Sequence, residues 1–229
     1  MTSFLGLKIF ACIALVLMAC FSERAHHLFE EGKFNHSILL YIHVISVGSW
    51  TGIQGWVVFV AGIVMYFNFP CHVFSLLGIV MYFNLPRHVF GEIQSKLWPL
   101  FFGIGGALST LALLTNGAVM KLRSEKTTSE ELMHVSGLIV SLACSLLNFV
   151  VLEPQATHYW YQRFLYEKER GFGNEIGPLT NREELNTPKY KQLTHNFAKV
   201  HGISSLSTVS SYIGSLVYLW YLTSHLIST

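Results

Sequence analysis

An all-α fold, a multi-pass transmembrane four-helix bundle, is predicted by three features of this 229-residue chain. Hydrophobic residues make up 52% of it and charged residues 12%, where soluble domains carry roughly 25% charged residues. The mean hydropathy is +0.44. Four segments are apolar over the roughly 20 residues that a helix needs to cross the hydrocarbon core, and each is free of Asp, Glu, Lys and Arg at its centre, as the cost of burying charge in lipid requires.

Those four segments run from His36 to about Phe67, from Leu97 to Val119, from Leu132 to Leu152 and from Ile203 to Ile227. A fifth apolar run, Phe4 to Phe21, opens the chain. Lys8 interrupts it early, and the short apolar stretch after it fits a signal peptide or an uncleaved anchor over residues 1–22. The organisation expected is therefore that leader followed by a membrane domain over 36–229.

Lys and Arg set the orientation. Arg87 and Lys96 separate the first two spans; Lys121, Arg123 and Lys126 separate the next two. The connection 153–201 holds seven more, and none follows the fourth span. The excess of basic residues on cytoplasmic loops places 68–96 and 153–201 in the cytoplasm. The C-terminus and the stretch Ser22 to Asn35 then face the lumen or the exterior. Integral location in the endoplasmic reticulum, the secretory pathway or the plasma membrane follows as an expectation.

The connection has structure of its own. Glu153 and Pro154 form a suitable first turn for a helix, and the aromatic-rich stretch to Arg170 reads as a helix leaving the third span or lying on the surface. Gly171 and Gly173 end it, 174–188 reads as loop, and a second helix begins near Tyr190 and leads into the fourth span. A fourteen-residue segment starting at Gly62 returns at Gly78 with three differences. It is too short for a structural repeat and reads as a local duplication or a gene-assembly error. The first copy extends the first helix until Pro70 breaks it.

Several function classes are excluded or weakened. The formal charge of +2, with no basic block beside it, argues against nucleic acid as a partner. The bilayer is the expected partner, with helix-mediated self-association or other membrane proteins beside it. Cys12, Cys20, Cys71 and Cys144 share no CxxC spacing, so neither a zinc site nor a disulfide framework is expected. No nucleophile–base set, HExxH or phosphate-cradling loop occurs, and His195 and His201 are wrongly spaced for two ligands on one helix face. No enzymatic activity and no resident cofactor are expected.

The polar residues of the spans have a pattern. His43, Ser46, Trp50 and Gln54 share one face of the first helix, beside Gly48, Gly52 and Gly55. Gly106, Thr110 and Gly117 share a face of the second span. Gly137, Ser141, Ser145 and Asn148 do so in the third, and Ser204, Thr208, Ser211 and Ser215 in the fourth. Helix packing through small and hydrogen-bonding residues accounts for such stripes. The sharper reading is a polar intramembrane seam of His43, Trp50, Gln54 and Asn148, with His43 as a haem or metal ligand or with the Gln54 and Asn148 faces lining a small transporter or channel. A cytoplasmic-face motif of Pro86, Arg87, His88 and Lys96, with Glu153 and Pro154, reads as a turn with snorkelling cations or as a lipid headgroup site. Glu167-Lys168-Glu169-Arg170 reads as a solvated helix end.

Trp50-Thr51-Gly52 with Gln54 and Trp56, Leu85-Pro86-Arg87-His88 with Phe90-Gly91 and Gln94-Ser95-Lys96-Leu97, Leu152-Glu153-Pro154 with Thr157, and Glu167-Lys168-Glu169-Arg170-Gly171 with Gly173 and Glu175 resemble the transmembrane protein 205 family. So do Pro188-Lys189-Tyr190 and Asn196-Phe197 with His201-Gly202 and Ser204-Ser205-Leu206. The resemblance runs in order from about Tyr41 to the end. It implies a four-span membrane protein without an established biochemical activity, in a family whose animal member is associated with platinum-drug resistance and with secretory and plasma membranes. An accessory role in secretory-pathway trafficking or in drug or metal export is what it suggests. His43 followed by Trp50 and Gly52 is also similar to the opening helix of copper-resistance-D-like and haem-related membrane proteins, whose histidine serves a metal or haem.

Overall fold

The computed structural model describes residues 36–57, 84–122, 129–176 and 182–228. The leader 1–22, the continuation of the first helix to Phe67, the break at Pro70, and Arg123 and Lys126 lie outside the described residues.

The described chain is all-α. Helix α1 is His36–Gly55 and α2 is Arg87–Leu122. Helix α3, Ser129–Leu147, runs through a π-helical turn, Asn148–Leu152, into α4, Glu153–Glu169. A short α5, Arg182–Leu185, precedes the 41-residue α6, Pro188–Ser228. The only β pairing among the described residues is the isolated bridge of Pro86 with Ile176.

Three of these stretches are long and apolar enough to cross a membrane: Ile38–Gly55, Arg87–Lys121 and Glu131–Glu169. Helix α6 is not among them, because the serines and Thr208 of its middle lower its mean apolarity. Helix α2 starts ten residues before the expected Leu97, so the supposed turn at 87–91 is its first turn. The π turn has a local cause. Pro154 offers no N–H to the carbonyl of Val150, and the N–H of Glu153 reaches back instead to the carbonyl of Asn148, one residue further than an α-helix allows. The backbone stays helical at both ends of the turn, so the chain passes from α3 into α4 without leaving the helix. That settles the 154–170 segment as a helix continuing from the third span. Gly171 and Gly173 end α4 with φ of 76° and 96°, a left-handed region that glycine adopts without strain.

The described residues group into two compact units, one drawn from 36–53, 103–146 and 210–228, the other from 54–102 and 147–209. In the first unit, Val47, Ala112, Leu138, Tyr218 and Leu222 form the apolar core. Gly105 makes room for the Trp50 indole, which a Cβ there would strike. Gly137 and Gly214 let α3 and α6 touch backbone to backbone: a Cβ at Gly137 would sit 2.5 Å from the Gly214 carbonyl oxygen. In the second unit, Tyr166, Phe172 and Tyr190 pack together, and Gly91 admits the Trp160 indole against α2.

The glycine stripe of α1 behaves differently. No described atom lies within 4 Å of a Cβ built at Gly48 or Gly52. The expected stripe of α2 holds at Gly106, which is buried, but not beyond it. Phe102, Ser109, Ala112, Thr115 and Val119 are buried, while Gly117 is exposed and Thr110 turns its hydroxyl onto the Gly106 carbonyl of its own helix.

These contacts separate two kinds of glycine. Gly137→Ala should destabilise the protein by about 1–3 kcal/mol, the usual cost of overpacking. Gly117→Ala, whose new methyl meets nothing within 4 Å, should be neutral or stabilising by up to about 1 kcal/mol, since alanine is the better helix former. Thermal unfolding in detergent measures both; equal melting temperatures would contradict the close approach of α3 and α6.

Candidate functional site

Each unit buries polar side chains. In the first, His43 is 2% exposed. Its Nδ1–H is shared between the Ala112 carbonyl at 3.0 Å and Thr115 Oγ1 at 2.9 Å. Because a carbonyl only accepts, that contact places a proton on Nδ1. Nε2 lies 2.7 Å from the Tyr218 hydroxyl, which also reaches Asn116 Oδ1 at 2.7 Å. Trp50 donates its indole N–H to Ser141 Oγ at 3.0 Å. Ser141 Oγ is also 2.9 Å from Ser215 Oγ, 3.0 Å from Ser211 Oγ and 3.4 Å from Ser109 Oγ. Ser46 and Thr51 donate to carbonyls of their own helix.

Both ring nitrogens of His43 thus have protein partners, and a haem iron or metal ion on this side chain would have to displace one of them. Among the described residues no three His, Cys, Asp or Glu side chains gather into a metal-binding group.

Gln54 and Asn148, both 0% exposed, belong to the second unit. Asn148 Oδ1 accepts from Ser204 at 2.6 Å, and its Nδ2 donates to Thr208 Oγ1 at 3.4 Å. The four residues of the expected seam are all buried, but His43, Trp50 and Asn148 each bond to a separate set of partners. Glu153 is buried and accepts from Thr157 Oγ1 at 2.6 Å; Pro154 follows it in the first turn of α4.

A further cluster of the second unit is built on Glu167. This residue is 2% exposed and is not the solvated helix end that its charged neighbours led us to expect. Its Oε1 accepts from Arg87 Nη2 at 3.1 Å and Tyr190 Oη at 2.9 Å, and stands 3.5 Å from Arg163 Nε. Its Oε2 accepts from His88 Nε2 at 2.8 Å. Helix α2 supplies Arg87 and His88, α4 supplies Arg163 and Glu167, and α6 supplies Tyr190. The loop after α4 closes on the same group. Phe172 N–H donates to the Glu167 carbonyl and Arg87 N–H to the Glu175 carbonyl, while Gly173 lies so close that a Cβ would strike His88 and the Glu167 carboxylate. Of the expected cytoplasmic-face motif, Pro86, Arg87 and His88 meet here. Lys96 does not; it pairs with Glu92 on an exposed face at 2.8 Å.

Transmembrane protein 205 of Danio rerio is 30% identical over 188 residues, which cover 79% of this chain and 89% of that protein. The chain belongs to the transmembrane protein 205 family. A family model described as a domain of unknown function, DUF4149, matches residues 76–164. No solved structure matches the chain. With the three apolar helices, this membership makes the protein an integral membrane protein of a family whose function is unknown.

Within this member of the transmembrane protein 205 family, the sequence reading missed Tyr218, Arg163, Glu167 and Tyr190. Arg163 and Glu167 stand four apart on α4, a spacing that pairs opposite charges on a helix, and this was the available signal. Nothing local marks the partners on α2 and α6. The duplication adds one. The first copy carries Cys71 where the second carries Arg87, so only the second can supply the guanidinium that Glu167 binds.

Burial, then the neighbouring Glu167 carboxylate and the hydrogen bond to it, raise the pKa of the Tyr190 phenol above its ordinary value. The neutral phenol is the donor, so this contribution is present below the pKa of unfolded tyrosine and is lost as pH rises through the raised one. Tyr190→Phe should cost about 1 kcal/mol, a typical net hydrogen bond, and should remove one late-ionising tyrosine from an ultraviolet pH titration. Glu167→Ala, which strands two guanidiniums, should cost about 3–5 kcal/mol in detergent unfolding. A late-ionising tyrosine that survives Tyr190→Phe, or an unaltered melt of Glu167→Ala, would refute this account of the cluster.

Proposed function

We propose that this protein is a non-enzymatic, four-span helical bundle of the secretory or plasma membrane. It has no resident cofactor and acts as an accessory factor in trafficking or export through contacts with other membrane proteins or with its own copies. One observation carries the reading: the buried His43 and Trp50 are spent on other side chains of the protein. His43 is held by Thr115 and Tyr218, and Trp50 by Ser141. A polar interior used in this way fixes helix pairing.

In this reading α6 is the fourth crossing, with 153–201 in the cytoplasm and the C-terminus on the other side. Acceptor sites for N-glycosylation, one inserted in 177–181 and one after Ser228, test it. The second should be modified in microsomes and the first should not. Modification of both or of neither would refute a crossing by α6. Purified protein should be colourless and free of stoichiometric metal. A Soret band that disappears in His43→Ala would replace this reading with that of a haem-binding bundle.

A further inference from the structure

The end of α2 that carries Arg87 and His88 opens beside a cavity of about 280 Å³. Its wall is divided between polar groups from His88, Lys168 and Asn174 and apolar ones from Val89, Phe164 and Phe172. Glu92 also borders it, but that carboxylate is committed to Lys96 at 2.8 Å.

Charge around the cavity is unbalanced. Glu167 faces two guanidiniums, Arg87 and Arg163, and Lys168 adds a third cation. Arg87, which does not itself line the cavity, keeps a buried Nε without an acceptor among the described residues. The first turn of α2 has no acidic residue, although a helix N-terminus favours negative charge. His88 cannot wander, because Glu167 holds its Nε2 and Phe164 packs on its ring with centroids 4.4 Å apart. Lys168, by contrast, is exposed, with Nζ 5.9 Å from the centre of the Phe164 ring, and is free to turn toward a ligand.

We infer that this cavity binds a phosphate group, carried either by the headgroup of an anionic phospholipid or by free phosphate. Lys168 supplies the charge and Asn174 a neutral donor, while the fixed Glu167 cluster keeps the surrounding potential positive. Val89, Phe164 and Phe172 suit the glycerol and first methylenes of a lipid better than water. Helix α2 is one of the helices able to cross the bilayer, so its first turn lies where headgroups are at hand. Basic pockets at such helix ends are the usual receptors for them.

The test uses the full chain in phosphatidylcholine nanodiscs, with and without phosphatidic acid, read by native mass spectrometry of retained lipid. The phosphatidylcholine sample is also titrated calorimetrically with inorganic phosphate. Retention of phosphatidic acid should fall about tenfold in Lys168→Gln, the loss of one charge-assisted hydrogen bond. It should be unchanged in Lys191→Gln, an exposed lysine outside the cavity. Phosphate heat abolished by Lys168→Gln, with no lipid preference, would identify free phosphate as the ligand of the same site. Equal losses in both lysine variants, or neither lipid preference nor phosphate heat in the unaltered protein, would overturn the inference. Lys168→Gln should melt with the unaltered protein; if it fails to fold, Asn174→Leu, also at an exposed position, is read in its place by the same criteria.

Discussion

A polar group placed in hydrocarbon has no water to bond with, and this one constraint organises the interior of the protein. Ser141 shows its working. One hydroxyl on α3 meets the Trp50 indole of α1, Ser109 of α2, and Ser211 and Ser215 of α6. Each contact is weak alone, on the order of 1 kcal/mol. A hydroxyl donates once and accepts twice, so at most three of these bonds hold at one time, and together they restrict how the four helices can rotate against one another. The outer surface is the complement. Leu100, Ile139, Val150, Ile213 and Trp220 are exposed, which would be costly in water and costs nothing in lipid. Polar residues inside and large apolar ones outside are the reverse of a soluble core.

The Glu167 cluster answers a related problem with charge. A buried carboxylate is expensive unless its lone pairs are occupied, and here two guanidiniums, an imidazole and a phenol occupy them. The cluster ties α2, α4 and α6 together and pins the loop after α4. The close approach of that loop works only because position 173 is glycine: its φ of 96° strains any side chain, and a Cβ would displace the His88–Glu167 contact. The Cys71–Arg87 difference between the duplicated segments has the same physical meaning. A thiol cannot replace a guanidinium beside a buried carboxylate.

Much of this was legible in the sequence, and the failures have physical reasons. Helix spacing put His43, Trp50 and Gln54 on one face of α1, and all three are buried. The stripes of α3 and α6 were readable for the same reason, since polar residues at three- and four-residue intervals are rarely turned toward lipid. The α2 stripe held at Gly106 and failed beyond it because hydroxyls have an alternative. Thr110 satisfies itself on its own helix, so its polarity says nothing about where it points, and glycine at 117 carries no polarity to read. Glu167 failed because local sequence counts charges without partners. A carboxylate among Lys168, Glu169 and Arg170 looks solvated until residues on two other helices are brought to it. The π turn was similarly hidden: Pro154 announces an interrupted hydrogen bond but not how the backbone absorbs it.

Helix α6 shows why averaging along the chain can mislead. Its apolarity is lowered by Ser204, Thr208, Ser211 and Ser215, yet those four side chains are buried. Lipid would meet instead Leu206, Val209, Ile213, Leu216, Val217 and Trp220, which are exposed. A mean over the helix charges it for hydroxyls that never leave protein, and several of those hydroxyls bond to carbonyls or hydroxyls already buried. What matters for crossing a bilayer is the polarity of the face turned outward together with satisfaction of the face turned inward. On that measure α6 resembles the three helices whose averages pass, and this supports its assignment as the proposed fourth crossing.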